Sequence, residues 1–102
     1  RRPDAVFVAN DHMAFAVMDV LRFDLGLRVP DDVSVVGFDD VPPAAWPAYN
    51  LTSFRQRVDQ MVAETVTMLM ARIDGDFTGS PHVVLGGELV IRTSTRRYGA
   101  AR

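Results

Sequence analysis

Two pairs of polar residues, Asn10-Asp11 and Asp39-Asp40, are the part of this sequence best suited to recognise a ligand. Each pair follows a short apolar run, over 5–9 in the first case and 33–38 in the second. Carboxylate and amide groups hydrogen-bond hydroxyl groups in fixed geometry, which suits a polyhydroxylated small molecule. Adjacent residues on a strand point to opposite faces, so Asp39-Asp40 is not a ready-made catalytic dyad.

The other reactive residue types give little support for catalysis or for a metal site. His12 stands at the predicted start of a helix, and no serine or cysteine lies in a nucleophile-like context. His82 has no second histidine or cysteine at ligand spacing, so we assign no metal ion. The sequence has no Gly-rich phosphate loop either. We therefore expect a protein that is not an enzyme and that binds no cofactor.

The two apolar runs predict strands that carry these polar pairs. The run over 33–38 is rich in β-branched residues and does not alternate, which is typical of a strand covered on both faces in a parallel sheet. Ligands bind beyond the carboxyl ends of such strands, which is where Asp39 and Asp40 would lie. The run over 5–9 predicts a second buried strand of the same kind.

A helix over about 12–25, capped by Asn10 or Asp11 and ended by Gly26, would join the two strands into one βαβ unit. Its apolar stripe consists of Ala14, Val17, Met18, Leu21 and Leu25. Phe15 falls off this stripe, which favours a second contact surface over a singly exposed apolar residue.

The second half of the chain predicts a loop, a helix and two strand segments. The Pro-rich stretch 41–50 indicates a surface loop with one helical turn, whose Trp46 and Tyr49 either form an interface or ligand wall or cover the core. A short extended segment over 51–54 precedes a helix over 57–74 with one apolar face. Two strand segments, 82–85 and 88–92, flank Gly86-Gly87, which would be a hairpin turn or a flexible joint.

Composition limits the classes of function open to this chain. Its 102 residues make one domain or a piece of one, and a net charge of −2 provides no basic field for nucleic acid. The chain has no cysteine, no apolar run long enough to cross a membrane and nothing like a signal peptide. We expect a cytoplasmic protein without membrane contact.

Four stretches, in order and with matching spacing, resemble the C-terminal part of the effector-binding domain of LacI/GalR-type transcriptional regulators. They are 5–14 (AVFVANDHMA), 26–40 (GLRVPDDVSVVGFDD), 51–56 (LTSFRQ) and 88–95 (ELVIRTST). The resemblance implies an α/β fold of the periplasmic-binding-protein-like type I class, with a parallel sheet, flanking helices and two subdomains. It also implies a sugar-like effector in the cleft between them, whose binding changes the affinity for operator DNA.

The resemblance also assigns roles to residues and segments of this chain. It implies effector contacts at Asn10, Asp39 and Gln56, and a homodimer interface at Phe15, Trp46 and Pro47. It divides residues 1–102 into a mainly C-terminal subdomain (1–50), a crossover with helix and strand of the other subdomain (51–87), a returning strand (88–95) and a tail (96–102). Asp11, His12 and Asp40 remain open as structural residues rather than contacts.

The resemblance covers less than half of such a regulator, so we expect a truncated fragment. Operator contact is implied only through a helix-turn-helix that is absent from this chain. The apolar face of the 57–74 helix would lack partners, which predicts self-association of the isolated chain. The alternative is a fragment of a periplasmic sugar-binding protein of a transporter, which shares the fold and similar strand ends.

Overall fold

The computed structural model describes residues 2–97 and contains one four-stranded sheet in the order β1-β2-β3-β4. The elements are β1 (Ala5–Phe7), α1 (Asp11–Asp19), a π-helical turn (Val20–Asp24), β2 (Ser34–Phe38), a 3₁₀ turn (Pro42–Ala45), β3 (Thr52–Gln56), α2 (Val58–Ile73) and β4 (Gly87–Val90). The chain forms two compact units, one up to residue 55 and from 88 onward, the other over 56–87. From Tyr98 onward, the predicted tail lies outside the described residues.

The first unit confirms the predicted α/β fold around a central strand. β1 pairs with β2 and β2 with β3, both in parallel, with Val6 opposite Val35 and Val36 opposite Thr52. Val33 and Val35 are fully buried, and the side chains of Val36 and Phe38 are half-buried. β2 is therefore covered on both faces, as its unalternating sequence predicted.

The prediction of a buried strand was wrong for β1. β1 is the outermost strand of the sheet, and the Phe7 side chain is 66% exposed, although Val8 just beyond the strand is buried. An apolar run predicts burial only where a neighbouring strand or helix covers it, and nothing in residues 2–97 extends the sheet beyond β1.

α1 follows the predicted stripe, and the chain departs from the stripe in the π-helical turn that follows. Ala14 and Met18 are fully buried, whereas Leu25 is 61% exposed. The π-helical turn causes the departure, because the amide of Leu25 donates to the carbonyl of Val20, five residues back. Such a turn advances by a smaller angle per residue than an α-helix, so Leu25 rotates off the buried face. Gly26 then ends the helix with a φ of +65°, as predicted.

Phe15 lies inside the core rather than on a separate surface of the single chain. Its ring stacks on Tyr49, with 4.3 Å between the ring centroids, and it is buried together with Val35, Ala44 and other core residues. The two aromatic residues of the Pro-rich loop thus behave differently, since Tyr49 covers the core and Trp46 is 56% exposed.

The second unit consists mainly of α2, which ends before Gly75 as predicted. None of the residues of α2 is buried in this chain. The predicted strand over 82–85 was wrong, because this segment has no strand partner among the described residues and Val84 is 94% exposed. The hairpin interpretation of Gly86-Gly87 fails with it, since Gly87 is the first residue of β4. None of the described helices is long and apolar enough to cross a membrane.

The exposed apolar face of α2 makes self-association of the 102-residue chain an expected result. The face contains Val58, Met61, Val62, Val66, Leu69, Met70 and Ile73, each more than 40% exposed. Contiguous apolar surface of this kind is covered in stable proteins, so we expect sedimentation to detect oligomers. Replacing Val62 and Leu69 with glutamate should weaken the association at least about tenfold, whereas Thr67→Glu, off this face, should not. A monodisperse monomer with α2 protected from hydrogen exchange would contradict this prediction.

Candidate functional site

The N-terminus of α1 begins at the carboxyl end of the parallel strands. Asn10 is the N-cap, and its Oδ1 accepts a hydrogen bond from the amide of Met13 at 2.9 Å. A cap of this kind satisfies one of the free amides of the first turn and fixes the direction of the helix. Asn10 is half-buried, so it lies at the surface of this end of the sheet.

The next residue, Asp11, is fully buried and ties three segments together. Its Oδ1 accepts a hydrogen bond from the Ser53 hydroxyl at 2.7 Å, and its Oδ2 accepts one from the amide of Val41 at 2.9 Å. The Ser53 hydroxyl oxygen in turn accepts a hydrogen bond from the amide of Asp40 at 3.0 Å. Residue 37 is glycine where this carboxylate lies against β2, because a Cβ there would collide with Oδ1 of Asp11.

The backbone just after β2 adopts an unusual conformation. Asp39 has a φ of 119° and Asp40 a φ of 57°, a region that side-chain-bearing residues other than Asn and Asp rarely occupy. The amide of Asp39 donates to the carbonyl of Phe54 at 2.9 Å. The amides of Asp40 and Val41 are hydrogen-bonded as well, so three consecutive N–H groups after β2 have acceptors. The Asp39 side chain is exposed, whereas the backbone that carries it is fixed by these hydrogen bonds.

The side chain of Asp40 points into an ion-pair cluster. Its Oδ2 lies 2.7 Å from Nη2 and 2.8 Å from Nε of Arg55, and its Oδ1 lies 2.6 Å from Nη1 of Arg92. Nη1 of Arg92 also donates to the carbonyl of Leu51 at 2.7 Å. Oδ1 of Asp40 therefore interacts with the positive charge of Arg92 without an aligned hydrogen bond. Glu88 extends the cluster, with Oε1 lying 3.2 Å from Nη1 of Arg55.

The cluster determines the ionisation of Asp40. Burial raises the pKa of a carboxyl group, but the neighbouring guanidinium groups of Arg92 and Arg55 outweigh burial and hold the pKa of Asp40 below its ordinary value. Asp40 is therefore a charged structural residue at neutral pH. Its side chain is only 4% exposed, so a ligand cannot reach it directly.

The structure brings two of the predicted effector contacts to the same end of the sheet. Asn10 and Asp39 follow parallel strands, and the hydrogen bond from Val41 to Asp11 joins their two segments. Gln56 is the last residue of β3 and the first residue of the second unit. Trp46 and Pro47 are exposed beyond the 3₁₀ turn, and their assignment to a dimer interface, like that of Phe15, stays a prediction.

Sequence reasoning left the roles of Asp11 and Asp40 open and missed their partners. One signal in the sequence could have indicated the role of Ser53. Thr52-Ser53 is a pair of small hydroxyl residues between the apolar residues Leu51 and Phe54, and hydroxyl groups at such a position need buried hydrogen-bond partners. Nothing local links Arg55 and Arg92 to Asp40, because they are separated by 15 residues or more. No group of three or more His, Asp or Glu side chains that could hold a metal ion occurs within residues 2–97.

Comparison with known proteins places this geometry in a family. The profile of the periplasmic binding protein-like domain matches residues 1–95. A lactose operon repressor from Rhizobium radiobacter is 34% identical over 101 residues, covering 98% of this chain and 87% of that protein. The chain belongs to the LacI-type regulators of the periplasmic-binding-protein-like family. The predicted family is thereby confirmed.

Two solved structures show how far this likeness extends. A complex of the transcriptional regulator CelR with cellobiose has a TM-score of 0.80 and 42% identity, covering 89% of this chain and 28% of that one. A lac repressor dimer bound to operator and the anti-inducer ONPF has a TM-score of 0.80 and 33% identity, covering 91% and 32%. The chain spans about a quarter of the length of the first curated regulators that it matches. These relatives are transcriptional regulators rather than enzymes.

Proposed function

We propose that this chain is the ligand-sensing part of a LacI-type transcriptional repressor. It binds a small sugar-like effector through Asn10 and Asp39, with Gln56 as a third contact, and effector binding changes the affinity of the whole protein for operator DNA. The operator is contacted through a DNA-binding segment other than these 102 residues, which is consistent with their net charge of −2.

The geometry of Asp39 is the observation that supports this proposal most directly. Its carboxylate stands beyond the carboxyl end of the central strand, which is where open α/β sheets bind ligands. The side chain is exposed while its backbone is hydrogen-bonded, so a carboxylate that can accept hydrogen bonds from hydroxyl groups is carried by a fixed backbone. The similarity to a CelR–cellobiose complex at 42% identity supports a sugar as the ligand class.

The proposal extends to assembly and location. The likeness to a lac repressor dimer supports a homodimer, for which Phe15, Trp46 and Pro47 are the proposed interface residues. Trp46 and Pro47 are exposed and available for such contact, whereas Phe15 would contribute by supporting the surface from within the core. A regulator that binds operator DNA acts in the cytoplasm, which is the proposed location.

Replacing Asp39 with asparagine tests the proposed contact. Titration calorimetry with cellobiose and a panel of other mono- and disaccharides should identify a sugar that binds the unmodified protein. Asp39→Asn should weaken its affinity about 10- to 100-fold, because a charged acceptor contributes about 1.5–3 kcal/mol to a hydrogen bond. Asparagine tolerates positive φ, so the turn and the melting temperature should be preserved.

Asp31→Asn is the matched control, since it removes an exposed carboxylate that lies before β2 rather than after it. It should leave the sugar affinity unchanged. Unchanged affinity of Asp39→Asn would show that Asp39 is not a contact. Failure of every sugar to bind the unmodified protein would contradict the proposed ligand class.

A further inference from the structure

We infer that Asp11 and Ser53 are positioning residues for the effector site. They hold the backbone over 39–41 so that Asp39 and Asn10 are presented together. This inference rests on the proposed function, since it concerns how those two contacts are oriented. Neither Asp11 nor Ser53 touches the ligand, because both side chains are fully buried.

The hydrogen bonds of the turn show what the pair does. The Ser53 hydroxyl donates to Asp11 Oδ1 and accepts from the amide of Asp40, while Asp11 Oδ2 accepts from the amide of Val41. Two of the three consecutive amides after β2 therefore depend on side chains rather than on the β-sheet ladder. The turn that carries Asp39 would lose both acceptors if this pair were removed.

The conformation of the turn explains why it needs such support. Positive φ at Asp39 and Asp40 costs of order 1–3 kcal/mol per residue, and it is maintained only where surrounding contacts fix the backbone. Without fixed acceptors for the amides of Asp40 and Val41, the two residues would relax toward ordinary φ values. The Asp39 carboxylate would then change direction, because it moves with its own backbone.

The same carboxylate also fixes the second proposed contact. Asp11 is the first residue of α1, immediately after the N-cap Asn10. Its bond to Val41 therefore joins the start of α1 directly to the turn after β2. A hydrophobic pair could fill the space of Asp11 and Ser53, but it would leave the two amides without acceptors. The polar pair fixes the start of α1 and the turn after β2 in one arrangement. Such preorganisation of Asn10 and Asp39 raises the affinity for the effector.

Amide hydrogen exchange in Ser53→Ala tests the positioning role without a ligand. Ser94→Ala is the matched control, because Ser94 is equally buried and its hydroxyl bonds the amide of Thr52 and the carbonyl of Val35, away from the turn. We expect the amide of Val41, whose acceptor is Asp11 rather than Ser53, to exchange at least about tenfold faster in Ser53→Ala than in Ser94→Ala. Equal exchange at Val41 in the two variants would overturn the inference.

Cellobiose affinity then connects positioning to binding. At a temperature where both variants are folded, Ser53→Ala should weaken cellobiose binding about tenfold, and Ser94→Ala less than twofold. Equal affinity losses would indicate a general structural effect and overturn the positioning role. If the unmodified protein does not bind cellobiose, that sugar is wrong for the proposed function, and the exchange at Val41 still decides the inference.

Discussion

Replacing Gly37 with alanine should lower the free energy of unfolding by about 3 kcal/mol, the upper end of the usual cost of overpacking a core. The added Cβ would collide with Oδ1 of Asp11 and lie 2.8 Å from Cδ2 of Leu51. Asp11 cannot move away without losing its bonds to Ser53 and Val41. The substitution therefore combines overpacking with the loss of buried hydrogen bonds.

Urea unfolding of Gly37→Ala measures this cost, and Gly79→Ala and Gly86→Ala are its controls. A Cβ at Gly79 or Gly86 would meet nothing within 4 Å, and neither residue has a positive φ. Both controls should change the free energy of unfolding by less than about 0.5 kcal/mol. If Gly37→Ala changed the free energy of unfolding as little as the controls, Asp11 would have room to move, and residue 37 would not have to be glycine.

Asp40→Asn is expected to lower the free energy of unfolding by about 2–3 kcal/mol at neutral pH. Removing one partner of a buried ion pair leaves the other charge uncompensated, at a cost of about 3–5 kcal/mol for fully buried pairs. The expected loss is smaller here because Arg55 is 52% exposed, whereas Arg92 is only 13% exposed. Asparagine accepts the positive φ of residue 40, so the backbone should not add to the effect.

The pH dependence of stability distinguishes loss of charge from loss of packing. The pKa of Asp40 is lower in the folded chain than its ordinary value of 3.8, so its contribution is fully present above that value. It is lost as the pH falls from about 3.8 through the folded pKa. Asp40→Asn should therefore show a weaker fall in stability over this acid range than the unmodified chain.

Asp31→Asn serves as the control for the acid series. Asp31 is exposed and lies 3.8 Å from Arg28, a surface pair worth little in water. This variant should retain the stability of the unmodified chain within about 0.5 kcal/mol at neutral pH. If Asp40→Asn and the unmodified chain lose stability in parallel on acidification, the cluster around Asp40 does not contribute through charge.

Local sequence patterns predicted the central strand and the ends of the helices, because neighbouring residues specify these features. The unalternating apolar run predicted β2, and two glycines marked the ends of both helices. The polar residues after β1 and β2 were correctly placed at the carboxyl ends of the strands. Each of these predictions depends on residues within one or two elements.

Apart from Leu25, which the local π-helical turn rotates off the buried face, the failures depend on contacts between distant parts of the chain. Exposure of Phe7 follows from the edge position of β1, and burial of Phe15 from a ring 34 residues away at Tyr49. The segment over 82–85 has strand-like composition but no strand partner in the described residues. The hydrogen bond of Asp11 to Ser53 likewise spans 42 residues, which no periodicity or spacing rule could reveal.

The ion pairs of Arg55 and Glu88 make one part of the first unit sensitive to salt. Arg55 is the last residue of the first unit before the chain leaves it, and Glu88 is the first residue after the chain returns. Their 3.2 Å contact, together with the ion pair of Arg55 with Asp40, connects β3 to β4 within the first unit. Because the Arg55–Glu88 pair is exposed and the Asp40–Arg92 pair is largely buried, raising the ionic strength should weaken the contact at Arg55–Glu88 first.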